Sequence, residues 1–167
     1  MTPPAASRAD RDRDETGRAR NSRPRDELGR PLPRDPAAPP PPDEPALAPD
    51  AALETAQRLI DAGRAFRAHE VLEAAWKAAP SGERQLWQGL AQVAVGLTHA
   101  QRGNARGAVA LLRRGGQRVA GYADRAPHAV PAAQVARFAA DLADRIDRDG
   151  LGEITPADLR LNLRASD

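Results

Sequence analysis

There is not one cysteine among the 167 residues, which excludes disulfides, thiolate metal sites and a cysteine nucleophile. Aromatic residues are almost as scarce: five in all, from Phe66 to Phe138, with none in residues 1 to 50. That same stretch has no Val and no Ile, yet it holds 12 of the 16 prolines. It has too little apolar mass to offset the entropy of ordering, so residues 1–49 are predicted to be a disordered tail, with polyproline II favoured at Pro39 to Pro42. The fold is then the task of residues 50–167. Lysine is nearly absent, and 24 of the 25 basic residues are Arg. The sequence pI near 9.9 follows from the very high arginine pKa and not from a basic arm. Residues 1 to 50 carry nine Arg against ten acidic groups, and the remainder sixteen basic against thirteen acidic. No nucleic acid partner is expected of such a balance. Long apolar runs are missing too. The longest uncharged run, Gln85 to Gln101, has four glutamines and a histidine in 17 residues, too short and too polar for a membrane span. The opening MTPPAASRADRDRD has no apolar stretch that could serve as a secretion signal. A cytoplasmic protein without membrane contact is the expectation.

What is present is helical punctuation. Apolar spacings of three and four begin after Asp50, read as an N-cap, and run to Gly63. A second helix is predicted from about Arg64 to Ala79, a third from Ser81 as cap to Arg102, and a fourth from Asn104 as cap to Ala120. Gly115 and Gly116 weaken the fourth by about 1 to 2 kcal/mol relative to alanines. Pro131 opens a fifth, to about Arg148, and Thr155 with Pro156 starts a short last one. No segment alternates with the period of a strand. The expected fold is all-α, a compact bundle of about five helices built from antiparallel helical hairpins. His128, between Pro127 and Pro131, reads as a loop residue.

Gly63, Ala65, Ala68 and Leu72 recur forty residues later as Gly103, Ala105, Ala108 and Leu112. This is the pattern of helical-hairpin repeats, and equally that of two helices using the same turn chemistry. The copies differ where His69 and Glu73 correspond to Val109 and Arg113. At 100° per residue His69 and Glu73 stand one turn apart beside the apolar sector of the second helix, with Trp76 next to them and Glu70 pointing outward. On the third helix Gln85, Gln88, Gln92 and His99 form a narrow stripe, flanked by Gly89 and Gly96 where another backbone could approach closely. Folding the two helices about Pro80 sets Glu73 level with Gln88 and His69 level with Gln92, and places His99 about 10 Å further along.

FRAHEVLEAAW followed by LWQGLAQVAVGLTHAQRGNARGAVALLRR resembles the domain of unknown function 309 family of small helical prokaryotic proteins. The resemblance covers about residues 59–122. The family motif, His-x-x-x-Glu-x-x-Trp/Tyr, is met by His69, Glu73 and Trp76, and the turn at Arg102 to Asn104 fits as well. The resemblance implies no established activity, and it implies metal binding only as something proposed from the motif.

Three roles fit these residues. His69 and Glu73 could be two ligands of a divalent metal ion, or could hold a small ligand, with Glu70, Trp76, Gln88, Gln92 and His99 around it. Two protein ligands are few for zinc, and the HExxH pattern fails because its last position is Glu73. The hairpins could instead form a groove for a protein partner. In the third role, His69 and Glu73 bond to each other and to Gln88 and Gln92 and close the polar edge of a core. Neither a reaction nor an oligomeric state follows from the sequence. The Arg113, Arg114 and Arg118 cluster reads as a solvated face, and Asp147, Asp149 and Gly150 fail as a calcium loop because Arg145 stands at its first position.

Overall fold

A computed structural model describes residues 25–33 and 45–165. The disorder expected of the tail falls largely on residues 1–24 and 34–44, including the tetraproline, which lie outside the described residues. Within 25–33 the chain makes a turn in which Asp26 N–H donates to the Arg30 carbonyl (3.0 Å) and Arg30 N–H to Asp26 Oδ1 (2.8 Å).

Five helices follow: α1 Pro49–Asp61, α2 Ala65–Ala78, α3 Arg84–Gln101, α4 Ala105–Ala120 and α5 Ala132–Asp149, with short 3₁₀ turns at Pro127–Ala129 and Pro156–Leu159. Among the described residues there is no strand, and no helix is long and apolar enough to cross a membrane. Each helix packs mainly on its sequence neighbours, in the order α1, α2, α3, α4, α5. The core runs continuously through them, from Leu53 and Leu72 through Leu86, Trp87 and Leu97 to Leu112 and Ile146.

The forty-residue likeness has a concrete basis. Gly63 (φ +74°) and Gly103 (φ +77°) both adopt the left-handed conformation. After α1 the N–H of Arg64 reaches the Leu59 carbonyl and that of Gly63 reaches Ile60; after α3 Asn104 reaches His99 and Gly103 reaches Ala100. Both turns are therefore Schellman caps, which satisfy the last carbonyls of a helix and need a residue that tolerates positive φ. Ala68 and Leu72, and likewise Ala108 and Leu112, are then fully buried.

Two expected caps do not form. Pro49 takes the first helical position of α1, so Ala48 is the N-cap and Asp50 lies inside the first turn, favourable there for the helix dipole. The α2–α3 turn extends to Glu83, which is the N-cap of α3, so Ser81 caps nothing. Asn104 does cap α4, its side chain accepting from Gly107 N–H at 2.9 Å. Thr155 and Asp158 form a reciprocal capping box, on a 3₁₀ turn instead of an α-helix.

The double glycine in α4 is a packing device. A Cβ on Gly115 would lie 2.7 Å from the Gly89 carbonyl oxygen of α3, and one on Gly116 would lie 3.0 Å from Ala139 Cβ of α5. A Cβ on Gly96 would lie 2.7 Å from Leu112 Cγ. α4 is thus squeezed between two helices, and the propensity lost at the glycines is offset by close approach on both sides. At the far end of the chain an extended segment returns to α1. Gln57 Nε2 donates to the Leu161 carbonyl (3.0 Å), Leu163 N–H donates to Gln57 Oε1 (2.7 Å), and both leucines are buried.

Candidate functional site

α2 buries Ala65, Ala68, Leu72 and Ala75. His69, Glu73 and Trp76 follow the same three-and-four spacing at its edge and are half-buried. His69 Nε2 lies 3.3 Å from Glu73 Oε2, and Lys77 Nζ lies 3.2 Å from Glu73 Oε1. The three residues form an i, i+4, i+8 ladder on a single helix, and both carboxylate oxygens are engaged. The hydrogen bond from His69, acting against burial and helped by Lys77, holds the Glu73 carboxyl at about 2. The other imidazole nitrogen, His69 Nδ1, is shut off from solvent without a hydrogen-bond partner, while Phe66 stacks at a tilt against the ring, centroids 5.6 Å apart. Glu70 is paired with Arg67 at 3.1 Å.

The α3 stripe goes elsewhere. Gln92 Oε1 accepts from Arg118 Nε of α4 at 3.0 Å, and Gln85 accepts from the same guanidinium. The bonds expected to join Gln88 and Gln92 to His69 and Glu73 are thus replaced by a ladder along α2 and a guanidinium from α4. Gln88 and Val95 stay half-exposed on the stripe. The Arg cluster is largely consumed, since Arg113 pairs with Asp144 (3.0 Å) and Asp147 (3.1 Å).

His99 is fixed in a different way. Asn104 Oδ1 is occupied by the α4 cap, so its Nδ2 is the atom 3.0 Å from His99 Nδ1. His99 therefore accepts at Nδ1 and carries its proton on Nε2. Burial first, and then the charge of Arg102, push its pKa below the usual imidazole range.

These geometries decide what the cluster can do chemically. A metal would need a free imidazole lone pair. His69 Nδ1 is walled in and its Nε2 meets Glu73; the outward nitrogen of His99 bears the proton. Among the described residues no three His, Asp or Glu side chains are placed to hold a metal ion. The residues present do not fit a metal as they stand.

Sequence reasoning missed a second carboxylate–imidazole pair. His128 Nε2 lies 2.9 Å from Glu83 Oε2, which also accepts from Trp87 Nε1 at 3.1 Å. The His128 and Trp87 rings lie 5.9 Å apart, centre to centre. Beside them Tyr122 OH donates to the Gly82 carbonyl at 2.7 Å. The α4–α5 connection is thus fastened to the α2–α3 turn at two points. His128 (φ +58°) and its neighbour Ala129 (φ +54°) are both left-handed without being glycine, a strain of about 1 to 3 kcal/mol each that the surrounding contacts must offset. Burial opposes ionisation of Glu83, but the bonds from His128 and Trp87 outweigh it and keep the carboxyl below its usual range. The only sequence signal was a histidine between two prolines.

A cleft of about 420 Å³ lies at the other end of the hairpins, lined by Ile60, Ala65, Ala100, Gln101, Leu151 and Ile154 among others, and none of the predicted site residues reaches it.

Comparison with known proteins gives one positive finding. The model of a family described as a domain of unknown function, DUF309, matches residues 53–111, from α1 to the middle of α4 and including the His69, Glu73, Trp76 edge. No curated protein and no solved structure matches the chain. The two capped hairpin turns and the α2 edge all lie inside the matched stretch, so over residues 53–111 the chain is similar to the DUF309 family.

Proposed function

We propose that the α2–α3 edge is a protein-interaction surface, with His69 and Glu73 as structural members of it. Trp76 carries this reading. It is half-buried, lies on the same edge as His69 and Glu73, and its indole N–H has no hydrogen-bond partner among the described residues. A large, rigid aromatic with an unused donor is the kind of anchor on which binding energy concentrates at interfaces. The ladder supports the same reading, because both Glu73 oxygens are already engaged within α2, one by His69 and one by Lys77. Gln88, Val95 and His99 extend the half-exposed polar and apolar strip along α3.

The test combines two measurements. A photo-crosslinking residue at Gln88 should capture a defined protein partner in native cells. The same residue at Arg137, exposed on α5, should not, and Trp76→Ala should abolish the capture. A saturable rise in the parent's Tm with Zn²⁺, Mn²⁺ or Ni²⁺ that His69→Phe removes would instead restore the metal reading.

A further inference from the structure

The His128 contact has the form of a bound ligand. A planar nitrogen ring donates an N–H to a carboxylate that is largely removed from water, and the same ring lies against a tryptophan whose own N–H shares the Glu83 oxygen. Trp87 is 1% exposed, whereas the His128 and Glu83 side chains keep 25% and 21% of their surface open, so the site reaches solvent through the imidazole itself. The loop that delivers His128 does so with two consecutive non-glycine residues in the left-handed region. Side-chain recognition and not backbone preference therefore holds the ring in place. Tyr122, bonded to Gly82, would keep the loop tethered while His128 is out.

We propose that Glu83 and Trp87 form a receptor for an imidazole-type N–H donor, that His128 fills it in cis, and that a like ring on a ligand displaces His128. An incoming ring makes the same bond without straining a backbone, which compensates for the proximity advantage of the tethered residue. The ring could come from a free heterocycle or from a histidine of a peptide, and the probes separate these sources.

The experiment uses the full chain with Trp76→Phe, which leaves Trp87 as the single tryptophan. His128→Gly removes the ring and suits positive φ. Imidazole should then bind saturably, changing Trp87 fluorescence and raising Tm by roughly 5 to 10 °C at about a hundred times its Kd. Adding Glu83→Gln should weaken binding at least tenfold, because the charge-assisted acceptor is lost. In the His128-containing chain the same response should need more imidazole and be accompanied by faster amide exchange between Ala123 and Val130. Binding of N-acetylhistidine amide as well as imidazole identifies a peptide histidine as a competent ligand, and binding of imidazole alone identifies a small heterocycle. The proposal is overturned if His128→Gly shows no saturable imidazole response, or responds equally with Glu83→Gln. His128→Ala serves as the second vacated variant if the glycine variant does not fold, and the same outcomes apply to it. His128→Gln, whose amide N–H can reach the position of the imidazole Nε2, should remain closed to imidazole.

Discussion

Two carboxylate–imidazole pairs occupy this bundle, and they are built in opposite ways. His69 and Glu73 are four residues apart on α2, brought together by helical pitch alone, at 3.3 Å. Glu83 and His128 are 45 residues apart, brought together by two turns that meet at one end of the bundle, at 2.9 Å. The first pair sits beside a half-buried tryptophan with an unused N–H. The second sits on a buried tryptophan whose N–H it satisfies. A local pair requires little of the rest of the fold, so its removal should be tolerated. A remote pair closes a strained loop, so its removal should be felt in distant elements.

The tryptophans provide the largest contrast. Trp87→Ala, at a fully buried site, should destabilise by about 3 to 5 kcal/mol in urea unfolding. Trp76→Ala should lose only about 1 to 2 kcal/mol, since part of its surface is already wet. Equal losses would erase the distinction between a core and an interface tryptophan.

Next in size is Glu83→Ala. It leaves the buried Trp87 N–H without an acceptor and the His128 loop without the contact that offsets its strain, for a loss of about 2 to 3 kcal/mol. The α4–α5 connection should become a site of limited proteolysis in this variant. If the connection stays protected, the Tyr122 contact alone fastens it.

On the local pair, His69→Phe or Glu73→Leu alone should cost about 1 to 2 kcal/mol, because each strands the other partner. The double replacement should return to within about 1 kcal/mol of the parent. A double-mutant cycle with no coupling would show that the two residues act independently.

The smallest effect is in the pH dependence. Glu73 has its folded pKa lowered from 4.5 to about 2, so the stability it contributes is complete above about 4.5 and is lost as pH falls toward 2. With a third of the side chain exposed, about 1 kcal/mol is expected to disappear across that window. Glu73→Gln should flatten that part of the stability curve, and an unchanged curve would assign the acid sensitivity to Glu83 and Asp158, whose pKa values are shifted in the same direction.

Much of this fold was legible in the sequence, for reasons specific to each element. Gly63, Gly103 and Asn104 announce their turns because a Schellman cap and an N-cap depend on residues within a few positions. The His69–Glu73 contact was readable because it needs only 3.6 residues per turn. Asp50 and Ser81 misled for an equally local reason, since a good capping side chain forms no cap when Pro49, or a longer turn, moves the helix start. The pairing of Gln85 and Gln92 with Arg118, the role of Gly115 and Gly116, and the Glu83–His128 contact all depend on which helix faces which. No periodicity within one segment carries that information. The left-handed backbone at His128 is the clearest case, because nothing local favours it and only the partner explains it.

The grip of Gln57 on the returning segment bears on time as well as on stability. Four helix–helix neighbours can assemble from contacts that are close in sequence, which favours rapid folding. The amide of Gln57, in contrast, joins residues 104 and 106 positions away at Leu161 and Leu163, and that closure comes after the helices have docked. An interaction formed late governs how fast the native state is left and hardly how fast it is reached. Leu161→Ala should therefore raise the unfolding rate and leave the refolding rate nearly unchanged, so that a few residues outside the family-matched stretch set the lifetime of the whole domain.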